Sequence, residues 1–166
     1  MIARRLISGI SALLGAAAGA QFPAFYLQYL QRLGGRLDQA RIEVKRLTSA
    51  ADAAGLRVTD YVERLLANID PAARNTGVLH QATLADAHTL SQAQTELAGA
   101  IGIERPLAFV RHFNLDLALA TLGDYQPALP LTVEAAAYAV TGMVLAGALV
   151  GLLASTLGRR RRRARA

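Results

Sequence analysis

The sequence contains no cysteine, which excludes disulfides, zinc fingers and thiol catalysis and is compatible with an oxidising compartment. It also lacks a P-loop, a G-x-S-x-G elbow and an H-E-x-x-H pair, so no nucleotide, hydrolase or metalloprotease signature is present. Histidines number only three. His80 and His88 fall on one predicted helix about 12 Å apart along its axis, too far to share a metal ion at a Zn–N distance near 2 Å. They and His112 read as solvated or structural side chains. Carboxylates stand among arginines at helix-surface spacing, as in Asp38 with Arg41 and Asp60 with Arg64, and form no acid/base dyad. The chain therefore reads as a non-enzyme with no cofactor, no metal site and no identifiable small-molecule ligand.

Charge is scarce too. Only 18% of the 166 residues are charged, while 53% are hydrophobic, more than one soluble core of this length requires. The surplus lies at the two ends. No charge occurs from Leu6 to Ala20, and none in the 24 residues from Ala135 to Gly158, a run longer than the roughly 20 residues that span a hydrocarbon core. The charges present are unevenly placed. Of the 18 Lys and Arg, Arg4 and Arg5 precede the first run and six follow the second, Arg159, Arg160, Arg161, Arg162, Arg163 and Arg165; the remaining ten face 11 acidic residues. The positive-inside rule then predicts both termini in the cytoplasm and the middle of the chain outside, as in a bacterial inner membrane protein with a periplasmic centre. The arginines serve as topology signal and anionic-lipid anchor. Nucleic acid is the weaker reading of such a tail.

Two readings compete for the N-terminal run. Ala18-Gly19-Ala20 before Gln21 has the small-x-small form of a signal peptidase site, and cleavage there would leave a single-span protein. Against cleavage, the helical pattern continues from Leu6 through Phe22, Phe25, Tyr26 and Tyr29, an aromatic belt suited to the membrane boundary. Ser11, Gly15 and Gly19 in the first run and Gly147, Gly151 and Ser155 in the second each form a small-xxx-small stripe, the pattern that lets helix backbones approach closely in lipid. The uncleaved helix is the expectation.

Between the runs the periodicity changes. Tyr26, Leu30, Leu33, Leu37, Ala40, Val44, Leu47, Ala51 and Ala54 alternate at intervals of four and three, the spacing of a coiled-coil seam. The step from Leu33 to Leu37 keeps phase across Gly34-Gly35, so the helix is expected to continue there. Gly55 ends it, Thr59 is expected to cap a short helix through Asn68, and Asp70-Pro71 starts a second long helix to about Ala100. That helix packs back along the first, making an arm about 45 Å long. Residues Glu104 to Gly123 predict one or two short helices on the bilayer surface or at the hairpin base. Thr132 caps the second span, where Glu134 sits two residues further, a candidate polar contact to Arg32, Arg36 or another subunit.

The predicted fold class is an all-α membrane protein: two transmembrane helices flank a long extramembrane antiparallel helical hairpin. Its segments are a cytoplasmic N-terminus (1–5), a first span (6–25), a periplasmic helical region (26–130), a second span (131–157) and a basic cytoplasmic tail (158–166). The block Gln21-Phe22-Pro23-Ala24-Phe25 with Gln31-Arg32-Leu33-Gly34-Gly35, and Pro127-Ala128-Leu129-Pro130-Leu131-Thr132-Val133-Glu134 before the last run, resemble a bacterial family of short two-span inner-membrane proteins classed as a domain of unknown function. The resemblance implies an uncleaved first span and brings no activity. The expected function is a scaffold or accessory subunit that associates through the seam and the small-residue stripes, with the lipid bilayer, a second copy or a larger membrane complex as partners. An oligomeric transport component is the alternative, since two spans without internal charge form no selective path alone.

Overall fold

The computed structural model describes the backbone of residues 2–127 and 132–163, and the side chains of 9–127 and 132–153. Among the described residues there are six helices and no strand: α1 (Ile2–Ala53), α2 (Val58–Leu66), α3 (Pro71–Gly99), α4 (Glu104–Arg111), α5 (Leu115–Gly123) and α6 (Val133–Arg163). Two of them are long and apolar enough to cross a membrane, over Gly9–Ala53 in α1 and Val133–Leu153 in α6. The chain divides into two compact units, Met1–Gln28 with Thr121–Ala166, and Tyr29–Ala120.

Local chemistry explains most helix ends. α1 passes through Pro23 and through Gly34-Gly35 without interruption. Pro23 has no N–H to give the carbonyl of Gly19, so one rung of the helical ladder is absent there. Gly55 stops the helix with φ of +68°, a left-handed conformation in which a side chain is strained. Its N–H donates to the carbonyl of Asp52 at 2.9 Å and that of Leu56 to Ala51 at 3.0 Å, the paired bonds of a Schellman ending. Asp70 caps α3 by accepting from the N–H of Ala72 at 3.0 Å, with Pro71 in the first position. Asn114 caps α5 through the N–H of Leu117 at 2.9 Å, and Thr132 caps α6 through that of Ala135 at 3.1 Å.

The expected cap at Thr59 is corrected. α2 begins two residues earlier, at Val58 after Arg57, which makes no side-chain cap bond. Arg57 instead grips Asp60 with two parallel bonds of 3.0 and 2.9 Å, and Thr59 donates to the same carboxylate at 3.3 Å. Asp60 is therefore bonded directly by Arg57, the geometry of a forked guanidinium on a carboxylate, while Arg64 acts on it only through its charge. Asp38 and Arg41 do pair, at 3.3 Å.

The hairpin unit closes the seam on itself. Leu33, Leu37, Ala40, Leu47 and Ala51 are buried on α1, with Leu30 and Val44 half-buried between them. From α3, Ala93 and Leu97 are buried and Leu84, Ala87 and Leu90 half-buried. Arg36 to Glu43 border the same clefts as Thr83 to Leu90, and Arg46 to Ala50 the same cleft as Leu79 to Thr83, so the two helices run antiparallel. Leu79 is 68% exposed, on the rim of this packing. α2 packs on α3 through buried Val62, with Leu65 and Leu66 against Gly77.

Candidate functional site

Among the described residues, the candidate site is built from helix contacts. In the terminal unit, α1 presents Ser11, Gly15 and Gly19 on its half-buried face. A Cβ at Gly15 would overlap the carbonyl oxygen of Gly142 and the Cβ of Ala146; one at Gly19 would overlap the carbonyl oxygen of Tyr138. Gly142 in turn faces the carbonyl oxygen of Gly15 and lies close to the Cα of Gly19. Two backbones thus touch directly, an approach that only absent side chains permit.

The α6 side of this contact corrects the sequence reading. Gly147 and Gly151 have open space where a Cβ would stand. The face turned to α1 carries Tyr138, Ala139, Gly142 and Ala146, all half-buried. Gly142 to Gly147 is five residues, which rotates the stripe about 140° around the helix. Ser155, Arg4, Arg5 and Arg159 to Arg163 lie outside the residues whose side chains the structure describes.

Aromatic groups close one end of the contact. Phe22 packs on Tyr138 with ring centroids 5.2 Å apart and on Tyr26 at 5.8 Å, and Phe25 meets Tyr125 edge to face at 5.9 Å. The Tyr125 hydroxyl donates to Oε1 of Gln21 at 2.6 Å, and the Gln28 amide donates to the carbonyl of Gln126 at 3.3 Å. The segment leaving α5 is thereby tied to α1 beside its aromatic belt.

In the hairpin unit, polar organisation centres on Tyr29, whose side chain is fully enclosed. Its hydroxyl donates to the carbonyl of His112 at 3.0 Å and accepts from the N–H of Asn114 at 3.1 Å. Its ring meets Phe109 edge to face at 5.0 Å, and Phe109 meets Phe113 at 5.6 Å. One tyrosine therefore holds the corner between α4 and α5. His112 Nε2 lies 2.7 Å from Oε2 of Glu96, and this hydrogen bond holds the Glu96 carboxyl below the usual carboxylate range. Beside the corner is a cleft of 220 Å³ bordered by Tyr29, Arg36, Arg111 and Asn114. Three others, of 190 to 420 Å³, are shallow grooves between helices.

The histidines do not converge. His80 borders the groove beside Leu47, His88 is exposed, and among the described residues no three of His, Cys, Asp and Glu come together to hold a metal ion. Glu134 stands in the first turn of α6, Arg32 and Arg36 on α1 within the hairpin unit.

Residues 3–163 match a family described as "Protein of unknown function (DUF2937)". The chain belongs to the DUF2937 family. The match takes in both apolar helices and the hairpin between them, so the whole architecture is that of one DUF2937 unit. No curated protein and no solved structure matches the chain.

The glycine contact was only half legible. Gly142 and Ala146 also form a small-xxx-small pair, but pattern alone does not say which of two such stripes turns inward. The Tyr29 clamp had no sequence signal beyond its place in the aromatic belt, because its partners lie more than 80 residues away.

Proposed function

We propose that this chain is a non-enzymatic scaffold or accessory subunit of the bacterial inner membrane, with both termini cytoplasmic, the hairpin periplasmic, and association between helices in the bilayer as its means of action. The observation that carries this reading is the backbone contact of Gly15 and Gly19 with Gly142. Lipid tails are as apolar as leucine, so helices in a bilayer gain little from hiding leucines and associate instead through small residues and close packing. The surplus of arginine outside the two apolar runs supports the orientation.

The same reasoning assigns the association surface. The heptad seam is closed inside the hairpin, so Leu33, Leu37 and Leu47 are not the contact to another subunit. Gly147 and Gly151 keep a second small-residue face of α6 open, and it serves a helix from another chain. The test compares Gly151→Ile with the parent protein after extraction from native membranes in mild detergent, reading stoichiometric co-purification and intact mass. Loss of the co-purifying chain with an unchanged full-length mass is expected. Unaltered association would reject this face.

A further inference from the structure

Among the described residues, eight exposed large apolar side chains lie between Ile101 and Leu122, against four between Leu30 and Ala100. They are ordered. Ile103, Leu107 and Val110 follow the i, i+4, i+7 spacing of a helix face, and Leu115, Leu119 and Leu122 repeat it on α5. Ile103 is 92% exposed and Val110 72%. The opposite face of α5 is already filled by buried Leu117, Ala118 and Thr121, so the outward stripe is surplus to the fold. Isolated exposed leucines are ordinary, but a periodic stripe repeated in successive short helices marks a surface that is covered in use.

The position of α5 indicates what covers it. The Tyr125 N–H donates to the carbonyl of Leu122 at 3.2 Å, and the Tyr125 hydroxyl is fixed on Gln21, where the first apolar run gives way to aromatics. α6 begins ten residues after Gly123. The end of α5 is therefore anchored at the level where an apolar helix leaves the hydrocarbon. We propose that α5 is an interfacial helix that lays Leu115, Leu119 and Leu122 into the headgroup and acyl boundary of the bilayer. This rests on the two-span reading of α1 and α6. A helix of this kind buries its apolar face about 5–10 Å into the boundary, and the lipid is present there without any further partner.

The absence of tryptophan gives the chain a clean background for single reporters. Leu119→Trp, with Leu145→Trp in α6 and Ile69→Trp at the far turn of the hairpin as references, is reconstituted as the full chain in phosphatidylcholine and phosphatidylglycerol vesicles. Each is titrated with aqueous acrylamide, and a parallel set carries brominated acyl chains. Leu119→Trp is expected to be quenched several-fold more by brominated lipid than Ile69→Trp, and to be protected from acrylamide. Quenching of Leu119→Trp by acrylamide alone overturns the proposal, as does shielding from both quenchers, which would mean a protein covers the stripe. Absence of bromine quenching at Leu145→Trp would instead overturn the two-span reading itself. Leu115→Trp repeats the measurement should Leu119→Trp fail to fold.

Discussion

The two units of this chain solve the packing of long helices with opposite means. Where α1 meets α6, the contact is made by what is missing: Gly15, Gly19 and Gly142 bring carbonyl oxygens against the neighbouring backbone. In the hairpin the contact is made by what is added, with Leu33, Leu37, Leu47 and Leu97 all 4% exposed or less. Burial of a leucine from water contributes about 1.5–3 kcal/mol, and that gain is available only to a unit whose unfolded state meets water. The outer faces agree with this division. Leu13, Leu14, Val144, Leu145 and Leu149 are all more than half exposed on the apolar helices, whereas the outward positions Asp38, Arg41, Lys45 and Asp52 on the hairpin part of α1 are charged.

The contrast predicts which substitution breaks which unit. Leu37→Asp places an unpaired carboxylate on the closed seam and should cost the hairpin about 4 kcal/mol or more. Hydrogen exchange should show the amides of α3 losing protection while those of α6 keep theirs; loss in both would mean the units are not independent. Gly142→Ile should act the other way, costing about 1–3 kcal/mol of helix pairing by overpacking. The readout is disulfide formation between Phe22→Cys and Tyr138→Cys, expected to fall several-fold, with α3 protection unchanged. Gly147→Ile, placed on the open face, should leave the disulfide yield intact.

Smaller effects sharpen the hairpin side. Tyr29→Phe keeps the ring on Phe109 but removes both hydroxyl bonds, leaving the His112 carbonyl and the Asn114 N–H without that partner. A loss of about 1–3 kcal/mol in thermal unfolding of the hairpin is expected; an unchanged unfolding temperature would show the clamp to be dispensable. Glu96 has a depressed pKa in the folded protein, because His112 bonds its charged form. Its contribution is thus present above the ordinary carboxyl pKa and is lost as pH falls through the lowered one. Both groups are partly exposed, so the effect is small, and Glu96→Gln should flatten the acid limb of the stability curve. A curve of the same slope in both proteins would remove this pair from the account.

Legibility followed the distance over which each feature is decided. The Schellman ending at Gly55 and the cap at Asp70-Pro71 are set by neighbouring residues, and both were readable. The seam expected from Tyr26 to Ala54 was readable as a pattern as far as Ala51, since a period of 3.5 defines a buried face, whereas Ala54 lies exposed past the end of α1; its partner was not readable, because a coiled-coil seam is satisfied equally by the same chain or another. Tyr29 on His112 and Asn114 depends on a contact across the whole hairpin. At α6 both small-residue stripes obey the same spacing, and only helix rotation, which no local signal encodes, chose Gly142 over Gly147. Thr59 was misassigned because a preferred capping residue lay one helical position inside the true start, where Arg57 and Asp60 pair across the first turn.

The account depends most on α1 and α6 being two spans of one uncleaved chain that meet at glycine. The direct measurement is oxidation of the full chain carrying Phe22→Cys and Tyr138→Cys in native membranes, followed by intact mass. A monomer of full length with an internal disulfide, resistant to carbonate extraction, is predicted. A chain beginning at Gln21, or disulfides formed only between separate chains, would contradict it.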